Sequence, residues 1–181
     1  MNAIFTIGHS TREIEEFISL LKAHNITQLV DIRTIPKSRH NPQFGGEALE
    51  KSLAEEGIQY VYLKDLGGLR PAAKHSTNDA WRNKSFRNYA DYMQTDEFKH
   101  ALEELIKISK KKTTAIMCAE AVPWRCHRSL VADALMVRGI SVFEIIGSGT
   151  AREHKITSFA VVEGETITYP KSALPEEEQG E

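Results

Sequence analysis

Residues 3–21 read AIFTIGHSTREIEEFISLL. The apolar run 3–8 closes on Gly8 and reads as a short buried strand. Ser10-Thr11-Arg12-Glu13 has the form of a capping box. The Ser10 hydroxyl would satisfy an unpaired N–H of the first turn, and the Glu13 carboxylate would reach back. Ile14, Phe17, Ile18 and Leu21 follow at helical spacing and make one apolar face. A strand that turns through glycine into an amphipathic helix is the first half of a βαβ unit.

The same alternation continues outward. QLVDIR (28–33), IQYVYL (58–63), TTAIMC (113–118) and ISVFEII (140–146) read as further strands. Helices are expected over 47–56, through Phe86, Tyr89, Ala90 and Met93, through Phe98, Leu102, Leu105 and Ile106, and through Leu130, Val131, Ala134 and Leu135. Gly57 and Gly139 mark two of their ends. The expectation is an α/β fold: a three-layer, doubly wound domain over residues 1–150 with a mainly parallel sheet of about five strands. Two segments flanking Gly164-Glu165 predict a C-terminal β-hairpin extension within 151–170. The acidic segment 171–181 is expected to be disordered.

Composition narrows the class. With 181 residues, 41% hydrophobic and 27% charged, the chain is long and apolar enough for one packed core. That excludes collagen-like and disulfide-scaffold classes. Its 23 basic and 25 acidic residues leave a formal charge of -2, so a generic electrostatic nucleic-acid binder is excluded and anion binding must be local. No apolar run approaches the ~20 residues that span a bilayer. The N-terminus lacks the basic region of a signal peptide. Two cysteines make no secreted framework. A cytoplasmic protein with no membrane partner is expected, with homo-oligomerisation open.

In open α/β sheets ligands bind beyond the carboxyl ends of the strands, and the polar punctuation falls there. Gly8, His9 and Ser10 follow the first strand. Arg33, Ser38 and Arg39 follow the second. Gly67 and Gly68 follow the third, and Cys118, Glu120, Cys126, His127 and Arg128 the fourth. This basic rim, with helices opening after Ser10 and His127, suits an anionic small molecule or nucleic acid. Solvated arginines, or ion pairs with Asp31 and Glu120, are the plainer reading. Gly67-Gly68 serves a tight turn or lets a ligand approach closely. His9 reads as a turn histidine.

CAEAVPWRCHR at 118–128 carries most of the chemistry. A cysteine at a strand end and an arginine before a helix suggest a phosphate-cradling thiolate site. Arg125, however, follows Cys118 after six intervening residues, one more than such loops use, and Pro123 removes one N–H from the cradle. Cys118 is otherwise a small buried residue. A metal site from Cys118, Glu120, Cys126, His127 and His9 has no zinc-finger spacing, and a Cys118–Cys126 redox pair lacks C-x-x-C spacing. Cys118, Glu120 and His127 are the catalytic candidates, as nucleophile and proton carriers. Gly8, His9, Ser10, Arg33, Ser38, Arg39, Gly67, Gly68 and Arg128 are the substrate-binding candidates, with no metal assigned and the cofactor open. For Glu120 two roles stand: an ion pair that fixes Arg128, or a general base.

IGHST at 7–11, DIRTIPKSR at 31–39, YVYLKDLGG at 60–68 and CAEAVPWRCHR at 118–128 together resemble the DUF488 family, over residues 4–146. The C-x-E followed by C-H-R is the strongest of these signatures, while His9 and Thr11 depart from the pattern. The resemblance implies an α/β architecture and one shared site. It implies no reaction. It points towards nucleotides or nucleic acids by association alone. The functional expectation is an enzyme on a phosphorylated, nucleotide-like or nucleic-acid substrate. The alternatives are a non-catalytic ligand-binding or sensor module, and a Cys/His metal or redox site.

Overall fold

The computed structural model describes residues 3–179. Met1 and Asn2, at the start of the expected domain, and Gly180 and Glu181 of the acidic tail lie outside the described residues. Strands β1 (Ile4–Gly8), β2 (Gln28–Asp31), β3 (Gln59–Tyr62), β4 (Thr114–Cys118) and β5 (Val142–Ile145) are parallel. Helices α1 (Ile14–Ala23), α2 (Gly46–Glu55), α3 (Lys84–Tyr92), α4 (Asp96–Ser109) and α5 (Arg128–Val137) connect them. A two-residue strand, β6 (Arg152–Glu153), adds an antiparallel edge beside β5. The sheet therefore has six strands, in the order β3-β2-β4-β1-β5-β6. The sixth is too short to show in the sequence as a periodic run.

Alternate residues of each central strand enter different cores, because side chains along a strand point to opposite faces. Ile4, Val30, Ile116 and Val142 join one apolar cluster with α3, α4 and α5. Ile7, Leu29, Met117 and Ile145 join the other with Phe17, Leu21, Leu49 and Leu53 of α1 and α2. Helices thus cover both faces, and the three-layer architecture follows from the strand pattern. At the neighbouring strands β1 and β4 the chain leaves for opposite faces, through α1 after β1 and through α5 after β4. Their carboxyl ends frame the crevice where such folds bind ligands.

Beyond the sheet, β7 (Val161–Glu163) and β8 (Thr166–Thr168) form the expected hairpin. Gly164 opens its turn at φ +63, a left-handed conformation that glycine adopts without strain. A 3-10 turn at Lys171–Ala173 and a single helical turn, α6 (Glu176–Gln179), follow. Four side chains clasp this C-terminal segment to the sheet domain. His154 places one ring nitrogen 2.7 Å from Asp133 of α5 and the other 2.7 Å from Glu144 of β5. A ring nitrogen facing a carboxylate must donate, so both carry protons and the imidazole is a cation. Burial opposes that charge, but the two carboxylates outweigh it and hold the His154 pKa at about 9. Asp133 also accepts from the Thr157 N–H and hydroxyl and from the Tyr169 hydroxyl. Arg152 completes the Glu144 carboxylate at 2.6 Å.

The helix after β1 starts later than the capping box predicts. α1 begins at Ile14, and Glu13, its N-cap residue, makes no side-chain cap. Ser10 instead has φ +50. The β1–β4 ladder continues past the strand ends, His9 N–H donating to the Cys118 carbonyl at 3.0 Å and Ser10 N–H to that of Ala119 at 2.9 Å. Those bonds hold Ser10 beside β4, outside the extended backbone an N-cap needs.

Candidate functional site

A cavity of about 300 Å³ opens at the carboxyl end of the sheet, lined by Arg33, Gly68, Cys118, Glu120, Arg125 and His127, among others. Three of the four motif loops contribute to this wall. The first loop, Gly8-His9-Ser10, lies behind it. A Cβ at Gly8 would stand 1.5 Å from the Glu120 carbonyl oxygen and 2.7 Å from Arg128 Nη1, so glycine is required for the close approach of protein to protein. Gly67 and Gly68 serve the same end: a Cβ would lie 2.7 Å from Thr34 Cα at the first and 2.6 Å from His127 Nδ1 at the second.

Arg33 does not present a free fork. Its N–H groups hold Asp31 at 2.9 and 2.7 Å, and Asp31 also accepts from the Tyr60 hydroxyl at 2.6 Å. This pair is buried, which pulls the guanidinium into the wall with its charge matched. His9 stacks on Phe44 at 4.4 Å, with Nδ1 2.8 Å from the Ser10 carbonyl and Nε2 3.5 Å from Arg33 Nη1. Burial lowers its pKa, so it is a neutral acceptor that steadies Arg33. Ser38 accepts from the Asn41 N–H and shapes its own loop. Arg39 is exposed on that loop, and neither residue lines this cavity.

The chain doubles back after β4. A 3-10 turn at Pro123–Arg125 returns Cys126 to Cys118, and the structure joins their sulfurs as a disulfide. Local spacing gave no C-x-x-C signal; the contact is made by the turn that Pro123 opens. Cys118 Sγ also lies 2.9 Å from Arg128 Nη1. Arg128 is 0% exposed. Its fork donates to the carbonyls of Glu120 and Ala121, and its Nε has no partner. The expected ion pair with Glu120 is not made: Arg128 takes the backbone oxygen, while the Glu120 side chain is exposed at the cavity. No carboxylate of the described residues pairs with Arg128. Burial pulls its pKa down to about 10, which still leaves it a cation at neutral pH.

His127 Nε2 is 2.8 Å from the Ile32 carbonyl, which only accepts, so Nε2 carries the proton and Nδ1 the lone pair. Nδ1 faces Cys126 Sγ at 3.5 Å. Burial, opposed by the carbonyls of Ile32 and Leu66, pushes the ring down to about 4. It is neutral, and its Nδ1 lone pair can accept a hydrogen bond. The first-turn N–H groups of α5 are taken within the protein: Arg128 N–H points at Cys126 Sγ, Ser129 N–H at the Cys126 carbonyl, and those of Leu130 and Val131 at the His127 carbonyl. Among the described residues no three His, Cys, Asp or Glu side chains gather as metal ligands would. No described helix is long and apolar enough to cross a membrane.

The residues that sequence reasoning missed lie in the clasp. Asp133 is a charge in the middle of the apolar run LVADALMV, and that mismatch was the available signal. A family model described as a domain of unknown function, DUF488, matches residues 13–135. No curated protein and no solved structure matches the chain.

Proposed function

The chain belongs to the DUF488 family, and from the geometry of its site we propose that it is a thiol-dependent enzyme. Reduced Cys118 is the nucleophile, held as a thiolate by Arg128. The cavity beside it takes an anionic substrate that is phosphorylated, nucleotide-like or nucleic-acid in character. One observation carries this reading. A fully buried guanidinium without a carboxylate rests on Cys118 Sγ at 2.9 Å. An unmatched buried charge is costly, and a cysteine beside an arginine gives up its proton readily. Reduction of Cys118 would supply the missing anion.

Arg125 supports the anionic substrate. It is exposed at the cavity wall, and its guanidinium makes no hydrogen bond or ion pair with the described residues. Arg33 shapes the wall with its charge already matched, and Arg128 acts through Cys118 rather than by touching substrate. Glu120 is exposed at the cavity edge. The reading places the protein in a reducing cytoplasm, where Cys118 is a thiol.

The test is alkylation of the reduced protein by iodoacetamide, with the site read by peptide mass. Phosphate, sulfate, nucleotides and short single-stranded DNA serve as protectants. Cys118 should react at neutral pH, and at least one anion should protect it saturably. No protection by any of them at low ionic strength would overturn the anionic substrate. A Cys118 that stays inert would overturn the nucleophile.

A further inference from the structure

Nothing in a single-nucleophile reading needs Cys126, yet the fold delivers it to Cys118. The turn closes through Arg125 N–H on the Val122 carbonyl at 3.2 Å and Cys126 N–H on the Pro123 carbonyl at 3.1 Å. These are the chain's two cysteines, and they are bonded to each other. Their surroundings differ. Cys118 Sγ has a cationic donor, Arg128 Nη1, at 2.9 Å. Cys126 Sγ has the His127 Nδ1 lone pair at 3.5 Å. One thiol is placed to be an anion, and the other faces a neutral imidazole. Both line the cavity, with Leu69 and Phe86 at its wall. At about 300 Å³ it is at the lower end of small-molecule pockets.

We propose that Cys118 and Cys126 form a dithiol–disulfide couple that reduces small-molecule disulfides, Cys118 attacking and Cys126 resolving. This rests on Cys118 being the nucleophile and adds the second thiol and a substrate class. In the first step the Cys118 thiolate bonds to one sulfur of the substrate RSSR. The substrate S–S bond breaks, and RS⁻ leaves and takes a proton from water. In the second step Cys126 gives its proton to water, and its thiolate bonds to Cys118 Sγ. The Cys118–SR bond breaks, and the second RS⁻ leaves and takes a proton from water. The protein loses two electrons and the substrate gains them. An external thiol reductant returns the couple to its starting state.

The experiment uses the full chain, reduced and freed of reductant, with one equivalent of hydroxyethyl disulfide. Intact mass and released thiol are followed together. The wild type should return to the internal disulfide, release two equivalents of thiol and keep no adduct. Cys126→Ser should stop as a mixed disulfide on Cys118 with one equivalent released. Cys118→Ser should react at least about tenfold more slowly. A wild type that keeps the adduct, or stays fully reduced, overturns the couple. Iodoacetamide separates the two claims. Rapid alkylation of Cys118 without closure of the internal bond sinks the couple and leaves the nucleophile standing. A Cys118 inert to both reagents sinks both.

Discussion

Helix α5 carries two fully buried charged side chains, Arg128 at its start and Asp133 in its middle, and their surroundings are opposite. Asp133 accepts from His154, from Tyr169 and twice from Thr157, and His154 passes the network on to Glu144 and Arg152. Every charge there has a counter-charge. Arg128 has backbone carbonyls, a sulfur and an unpartnered Nε. A fully matched buried network holds two parts of a fold together. Arg128 has no carboxylate in contact, only the longer-range fields of Glu144 and Glu120, and the group beside it is Cys118, the proposed nucleophile.

Breaking the matched side should have the largest effect. Asp133→Ala leaves the buried His154 cation with one carboxylate instead of two and strips the Thr157 and Tyr169 donors of their acceptor, and should cost about 3–5 kcal/mol. Urea unfolding at neutral pH checks it, and a loss below 1 kcal/mol would remove the clasp from the account. Gly8→Ala tests the packing behind the unmatched side. Its Cβ would need the space of the Glu120 carbonyl, so the loop carrying Cys118 and Arg128 must shift, at a cost of about 3 kcal/mol. The same titration should show it, with Cys118 alkylation altered in parallel.

The two regions should also respond oppositely to pH. His154 has a folded pKa of about 9, above its ordinary 6.5. Its contribution is complete below the ordinary value and is lost as pH climbs through 9. His127 is held neutral, with a folded pKa of about 4. Its contribution is complete above 6.5 and is lost as pH falls towards 4, because the unfolded chain takes the proton first. Glu144, held below its ordinary range by His154 and Arg152 against burial, adds to the acid loss. Stability should peak near neutrality. His154→Gln should flatten the alkaline side, and His127→Asn should relieve part of the acid side. Unfolding midpoints measured across pH check both slopes, and an unchanged alkaline side in His154→Gln would contradict the clasp.

The sequence showed the layered part of the fold because it is periodic. Strands such as TTAIMC and the stripe Phe98, Leu102, Leu105 carry their burial in their spacing. The β6 edge spans two residues, with no period to read, and the strand order depends on contacts far apart in sequence. At the site, Cys118, His127 and Arg128 were visible as chemistry at a strand end. Their roles were not. Arg33 and Arg128 look alike in sequence, but one is matched by Asp31 and the other is unmatched. The capping motif at Ser10 failed because bonds to the end of β4 outweighed a local preference. The Asp133–His154 pair joins residues separated by 21 positions, beyond the reach of any local rule.

The proposed chemistry depends on Arg128 holding reduced Cys118 as a thiolate. The direct measurement is the ultraviolet thiolate absorbance of the reduced protein across pH, in Cys126→Ser and in Cys126→Ser with Arg128→Met. The first protein should keep its thiolate well below the midpoint of a free cysteine, about 8.5. Adding Arg128→Met should raise that midpoint by at least about one pH unit, while costing less stability than Asp133→Ala, because it breaks no contact with a carboxylate. A Cys118 that titrates at or above the free-cysteine midpoint, or is unmoved by Arg128→Met, would contradict the account.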